Sequence, residues 1–168
     1  MSAPLTFHLC ETEPGWMGLV FSPHGLRALT LPRRTREEAL RDVMEIGATA
    51  PAREAEIADI PERVSALASG RYASLALQMD WDGITPFRRA VLEEAMRIPA
   101  GETRSYGWLA AKVGRPRAAR AVGRVMATNP FPIVVPCHRV IGSDGALHGY
   151  GGGLAMKEAL LKAEGALR

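Results

Sequence analysis

Cysteine is nearly absent from this chain: its 168 residues hold two, Cys10 and Cys137. Two thiols allow no disulfide framework and no zinc cage built from cysteine. Long hydrophobic runs are missing, and the N-terminus shows no basic-then-apolar leader pattern, so the expectation is a cytoplasmic protein that neither enters nor crosses a membrane. Acidic residues vanish from one long stretch. Between Glu102 and Asp144 there is none, whereas Arg104, Lys112, Arg115, Arg117, Arg120, Arg124 and Arg139 all lie inside it. Such a stretch is either a solvated basic face or a surface that meets a polyanion, and its length favours the second. The net charge of +3 and the isoelectric point near 9.2 are weaker evidence for the same partner class. Repeats and low-complexity tracts are absent as well.

The length suits one large domain or two small ones, with enough chain to bury a core. Gly15 to Phe21, a turn at Ser22-Pro23-His24-Gly25, and Leu26 to Leu31 read as strand, turn, strand. Thr35 with Glu38 forms a capping box for a helix ending near Gly47. Residues Gly47 to Glu56 read as an Ala- and Thr-rich loop, Pro61 to Ala68 as a short helix closed by Gly70, and Leu75 to Trp81 as a strand. Residues 1–80 are therefore expected to form a small α/β domain. Cys10, near His8 in a strand-like stretch, reads as structural; the alternative is a metal site shared with His24.

From residue 83 to 168 the texture is mostly helical. Thr85 caps a helix with Pro86 at its first position, and Phe87, Val91, Leu92 and Ala95 give it an apolar stripe. Pro99-Ala100-Gly101 stops it. Ser105 caps a second helix, Tyr106 to Val113, ended by Gly114. After the tight Gly114-Arg115-Pro116 link a third runs from about Pro116 to Ala127, and the pair reads as a helix-turn-helix. At about 100° per residue, Arg117, Arg120, Ala121 and Arg124 share one side of that third helix and Ala118, Val122, Val125 and Met126 the other. Guanidinium groups set among small residues suit close approach to a nucleic-acid groove; a solvated amphipathic helix is the plainer reading.

Downstream, the extended run Phe131-Pro132-Ile133-Val134-Val135 leads into Pro136-Cys137-His138-Arg139-Val140. A cysteine is the best soft nucleophile among side chains once something makes it a thiolate, and an imidazole stands beside it. Taken alone, such a pair is more often a buried structural cysteine under a loop. Its setting, just after a basic helical segment, points instead to chemistry on DNA.

Here the sequence resembles the O6-alkylguanine-DNA alkyltransferases (methylated-DNA–protein-cysteine methyltransferases). The likeness rests on Pro136 to Val140, on Asn129-Pro130 with Pro132 to Val135, and on Gly149-Tyr150-Gly151-Gly152-Gly153-Leu154. It extends to Lys157 to Leu161 with Glu164-Gly165, to Arg120-Ala121-Val122-Gly123, and to Thr85-Pro86-Phe87 leading to Ile98-Pro99, Gly101-Glu102-Thr103 and Ser105-Tyr106. It spans roughly residues 83–165 in correct order; over residues 1–80 it is weak, and there it implies a ribonuclease-H-like domain.

The resemblance implies that Cys137 takes the alkyl group from guanine O6 irreversibly, so that each molecule acts once. His138 would serve as base through a water and Glu164 would orient it. Tyr106 would assist the leaving guanine and Asn129 would brace the helix-turn-helix against the active-site loop. Tyr150 would wall the pocket beside Gly151, and the carbonyls of Cys137 and Val140 would accept from the guanine amino group. Arg120 would fill the space of a flipped base, with Ala118, Ala119 and Ala121 lying in the minor groove. The implied partner is double-stranded DNA carrying O6-alkylguanine, met by a monomer with no cofactor, no metal and no obligate protein partner. Two positions depart from the family pattern: Gly151 stands where several relatives have a hydroxyl residue, and Arg124 where small residues are common. Competing readings are a non-catalytic lesion binder, in which the nucleophile is commonly replaced by Trp, a transcription regulator, and a cysteine hydrolase.

Overall fold

The computed structural model describes residues 3–71 and 77–168. They group into two compact units, the first running to Asp82 and including Pro130–Pro132, the second comprising Gly83–Asn129 and Ile133–Arg168.

In the first unit, β1 (Leu5–Thr12), β2 (Gly15–Ser22) and β3 (Gly25–Leu29) form an antiparallel meander. A fourth strand, β4 (Ala48–Pro51), lies parallel to β1, so the sheet order is β3-β2-β1-β4. A parallel pair needs a crossover, and α1 (Arg36–Ile46) supplies it. The predicted capping box is present: Glu38 N donates to Thr35 Oγ1 at 3.2 Å and Thr35 N to Glu38 Oε2 at 3.1 Å. Gly47, at φ 110°, ends the helix in the left-handed region that glycine tolerates. The inner side of α1 packs through Val43 on Val20, Ala28 and Ala48. A side chain at Gly18 of β2 would collide with Val43, so the helix lies directly on the strand.

The expected loop over 47–56 is corrected here: it contains β4 and a short helix α2 (Glu54–Ile57). An Ala-Thr-Ala run has little strand propensity of its own; pairing with β1 decides it. Helix α3 (Ile60–Ala68) falls where the sequence places it. Of the expected strand at 75–81, Leu75 and Ala76 lie outside the described residues; the rest makes one isolated bridge, Met79 to Leu26. Pro130–Pro132 belong to this unit: Leu29 N donates to Pro130 O at 2.8 Å, and Phe131 meets Trp81 edge-to-face at 5.5 Å.

The second unit opens with α4 (Pro86–Ala95), whose first turn is closed by Arg88 N donating to Thr85 Oγ1. The two-residue strand β5 (Arg104–Ser105) runs into α5 (Tyr106–Lys112), then α6 (Ala119–Ala127). A 3-10 turn at Cys137–Arg139 precedes β6 (Val140–Ile141), which pairs in parallel with β5, and α7 (Leu154–Ala163) closes the chain. Helices α4, α5 and α6 pack together over Val91, Leu92, Ala95, Leu109, Ala110 and Val122, all fully buried. The third predicted helix starts later than expected. Pro116 sits inside a turn closed by Ala118 N donating to Arg115 O at 2.9 Å. That places Ala118 at the N-cap, outside the helix proper, because proline suits the second position of a turn as well as the first of a helix.

Candidate active site

The segment before Cys137 is buried from Phe131 onward. Ile133 holds φ 74°, a backbone region that a β-branched residue seldom occupies; the burial of Ile133, Val134 and Val135 holds it there. Asn129 Nδ2 donates to Val135 O at 3.0 Å, tying the end of α6 to this segment. Cys137 N then donates to Val135 O at 2.8 Å, and the 3-10 turn presents Cys137, His138 and Arg139 in succession. All three are at most 5% exposed.

Buried behind the turn is a charged cluster. His138 Nε2 lies 2.9 Å from Glu164 Oε1. Arg139 grips the same carboxylate as a fork, Nε to Oε2 at 2.9 Å and Nη2 to Oε1 at 2.6 Å, and its Nη1 donates to Ile98 O at 2.6 Å. Burial alone would raise the Glu164 carboxyl; hydrogen bonds from His138 and Arg139 outweigh it and hold it at about 2. Burial pushes the His138 imidazole below its ordinary range, helped by the charges of Arg139 and Lys157 against the pull of Glu164. Burial also raises the Cys137 thiol, with a hydrogen bond from Asn129 and the Lys157 charge opposing it. Burial thus favours the uncharged forms of the thiol and the imidazole, while its partners hold the carboxylate ionised.

Lys157 is 1% exposed. Its Nζ donates to Val140 O at 2.7 Å and His148 O at 3.0 Å, pinning the start of β6 to the loop before α7. Sequence reasoning assigned no role to Lys157 and counted Arg139 in the basic stretch that meets a polyanion; at 2% exposure and bound to Glu164, Arg139 is not part of such a surface. The signal for Lys157 was available: it shares the helical stripe of Leu160, Leu161 and Glu164, so it belongs to the buried face. For Arg139 nothing local marks burial, since only the fold brings Glu164 to it.

Of the remaining predicted residues, Tyr106 sits at the first turn of α5, its ring facing Gly123 of α6, where an added Cβ would lie 4.0 Å from it. Burial, and then the negative charge of a Cys137 thiolate, raise its phenol. Tyr150 has its hydroxyl buried and unpaired among the described residues, and Gly151 is exposed. On α6, Arg120 and Arg124 are exposed, Ala119 and Ala121 half-buried, and Val122, Val125 and Met126 buried, as the angular reading expects. Ala118 is half-buried at the N-cap. A cleft of about 500 Å³ runs between these elements, lined by Tyr106, Ala119, Arg120, Gly123, Asp144 and His148 among others.

In the first unit Cys10 is buried, chiefly by which its thiol is raised to about 11, as a structural cysteine should be. His24 lies instead with Asp80 and Asp82. Arg27 donates to Asp80 and to the Asp82 carbonyl there, so the group already has its cation.

The Glu164 cluster has a consequence for stability. A carboxyl at about 2 in the fold, against 4.5 when free, stabilises the protein above pH 4.5 and loses that contribution as pH falls toward 2. The loss is on the order of 3 kcal/mol. The lowered His138 acts in the same direction from 6.5 downward, because the unfolded chain takes up the proton first. Urea midpoints should therefore fall steeply with acid, and Glu164→Gln should be less stable at pH 7 but much flatter below pH 5.

A buried thiol, an adjoining imidazole and a clamped carboxylate stand together, the side-chain types that nucleophile–base–orienter sites use. Residues 86–166 match the family model described as 6-O-methylguanine DNA methyltransferase, DNA binding domain. The methylated-DNA–protein-cysteine methyltransferase of Mycobacterium leprae is 48% identical over 107 residues, 64% of each chain. That of Salmonella typhimurium is 56% identical over 85 residues, 51% of this chain and 50% of its own. The sequence matches thus span half to 64% of these curated relatives. The crystal structure of Mycobacterium tuberculosis OGT in complex with DNA superposes with a TM-score of 0.78 at 33% identity, covering 96% of this chain and 93% of that one. This chain belongs to the O6-methylguanine-DNA methyltransferase family.

Proposed function

We propose that the protein repairs DNA by single-turnover transfer of an alkyl group from guanine O6 to Cys137. The observation that supports this most is the buried set of Cys137, His138 and Glu164, where burial disfavours a charge on the imidazole and its Nε2 is committed to the carboxylate. The Cys137 proton passes through a water to His138 Nδ1, and the resulting imidazolium keeps its Nε2–H on Glu164. Sγ then attacks the alkyl carbon; the S–C bond forms as the C–O6 bond breaks. A thioether is not hydrolysed, so the protein is consumed.

The departing guanine carries negative charge, which a hydrogen bond from the Tyr106 hydroxyl to the adjacent ring nitrogen stabilises. The raised phenol keeps that proton through the neutral range. Tyr106→Phe should slow transfer by roughly 10²- to 10³-fold, the scale of a lost acid, with little change in lesion affinity; equal losses in both would assign Tyr106 to binding. Asn129 braces the active-site segment, and Tyr150 walls the pocket above Gly151. The carbonyls of Cys137 and Val140 select guanine through its amino group. Each already accepts one bond, from Val140 N and Lys157 Nζ respectively, and each has a second lone pair to offer.

DNA is the partner. Helices α5 and α6 act as the helix-turn-helix, with Ala118, Ala119 and Ala121 against the minor groove and Arg120 replacing the flipped base. In this reading residues 1–80 form a ribonuclease-H-like domain and residues 83–168 the DNA-binding and transfer domain. The protein works in the cytoplasm as a monomer, without cofactor or obligate protein partner. Among the described residues no helix is long and apolar enough to cross a membrane. Titration with an excess of duplex bearing a radiolabelled O6-methylguanine tests the reaction class. One equivalent of methyl transferred per protein, then nothing, is the expected course; continued turnover would rule it out.

A further inference from the structure

The guanidinium of Arg139 is 2% exposed and has both edges committed, one to Glu164 and one to the Ile98 carbonyl. Glu164 Oε1 is shared between Arg139 and His138. A buried carboxylate facing an imidazole alone draws a proton onto the ring and makes an imidazolium–carboxylate pair. An imidazolium has no lone pair with which to take the proton of a thiol. A carboxylate already neutralised by a bidentate guanidinium exerts far less of that pull, yet still accepts one ring N–H.

We propose that Arg139 is a positioning residue: by neutralising Glu164 it keeps His138 uncharged, with the proton on Nε2 and the Nδ1 lone pair free to act as base. This rests on the alkyl-transfer reading above and extends it to what sets the base's resting state. His138 Nδ1 is buried and without a partner among the described residues, which is what an acceptor reserved for reaction requires. The other titratable groups acting on the ring agree in sign. Lys157, from α7, opposes a charge on His138, as Arg139 does, and Glu164 alone favours it. Cys137, next to His138 in the chain, and Tyr150, on which Cys137 and Glu164 act, are both raised by burial and hence uncharged at neutral pH. A lysine at position 139 would keep the charge but lose the fork; a glutamine would lose both.

The test combines a rate profile with a direct reading of the ring. In the full-length protein, ¹⁵N-NMR of His138 at pH 7 should show a neutral imidazole protonated on Nε2. In Arg139→Gln the ring should be protonated at pH 7, and single-turnover transfer should fall by roughly 10- to 100-fold at pH 6.5 while recovering to within a few-fold of wild type at pH 9. Arg139→Lys should restore most of the wild-type profile. A uniform loss at every pH, or an imidazolium in the wild-type protein, would overturn the proposal. The NMR reading stands even if Arg139→Gln does not fold. Because it needs no alkyl transfer, it also separates failure of this inference from failure of the transfer reading.

Discussion

Cys137→Ala should abolish alkyl transfer, by at least about four orders of magnitude, while leaving the fold and lesion binding in place. Removing the sulfur removes the atom that forms the new bond, and no other thiol can substitute. Cys10 belongs to the other compact unit and its thiol is held at about 11, far from ionisation at neutral pH. The loss should not be a folding effect. Cys137 is 5% exposed, and trading sulfur for a hydrogen in such a place costs about 1 kcal/mol. Thermal unfolding should shift by a few degrees only. The measurement is methyl release from a duplex in single-turnover conditions, with gel-shift affinity for the lesion run alongside. Residual transfer above the uncatalysed rate would place the nucleophile elsewhere.

Arg120→Ala should separate two substrates. On O6-methylguanine within a duplex, transfer should fall by roughly 30- to 100-fold; on a free O6-alkylguanine base it should stay within about two-fold. The difference follows from the cost of extruding a base, a few kcal/mol of stacking and pairing, part of which an inserted guanidinium recovers. Arg120 is exposed on α6 and lines the same cleft as Tyr106. Its loss therefore leaves the Cys137–His138–Glu164 set untouched, and stability should move by no more than about 0.5 kcal/mol. Arg124→Ala on the same face is the useful control. A charge that only attracts phosphate should weaken binding and reduce its salt dependence without discriminating between the substrates. Equal losses on duplex and free base in Arg120→Ala would remove it from base extrusion.

What could be read from the chain follows what is local. Thr35 with Glu38, Thr85 with Pro86, and Ser105 before Tyr106 mark helix starts with their own side chains, and all three are found closing their first turns. The buried and exposed faces of α6 follow from the helical period, so Val122, Val125 and Met126 needed no fold to be assigned. Two misreadings have non-local causes. Strand β4 exists because β1 offers it partners, and the late start of α6 reflects Pro116 being used in a turn closed by Ala118.

The site was legible in a different way. Pro136 to Val140 and Glu164 were found through their pattern, not through propensity, and 23 residues of chain lie between Val140 and Glu164 before the fold joins them. Arg139 and Lys157 lie inside that same pattern. Their work is invisible there because it depends on which carbonyls and which carboxylate surround them once buried. A basic residue in sequence suggests a surface; only the structure turns these two inward.

The most direct measurement is intact-protein mass spectrometry after incubation with a duplex bearing a single O6-methylguanine, followed by peptide mapping. The expected result is a gain of one CH₂ per chain, complete at one equivalent of DNA and located on Cys137. An unchanged mass despite tight lesion binding would make the protein a non-catalytic reader of damage, and a methyl group found on any other residue would contradict the assignment of the nucleophile.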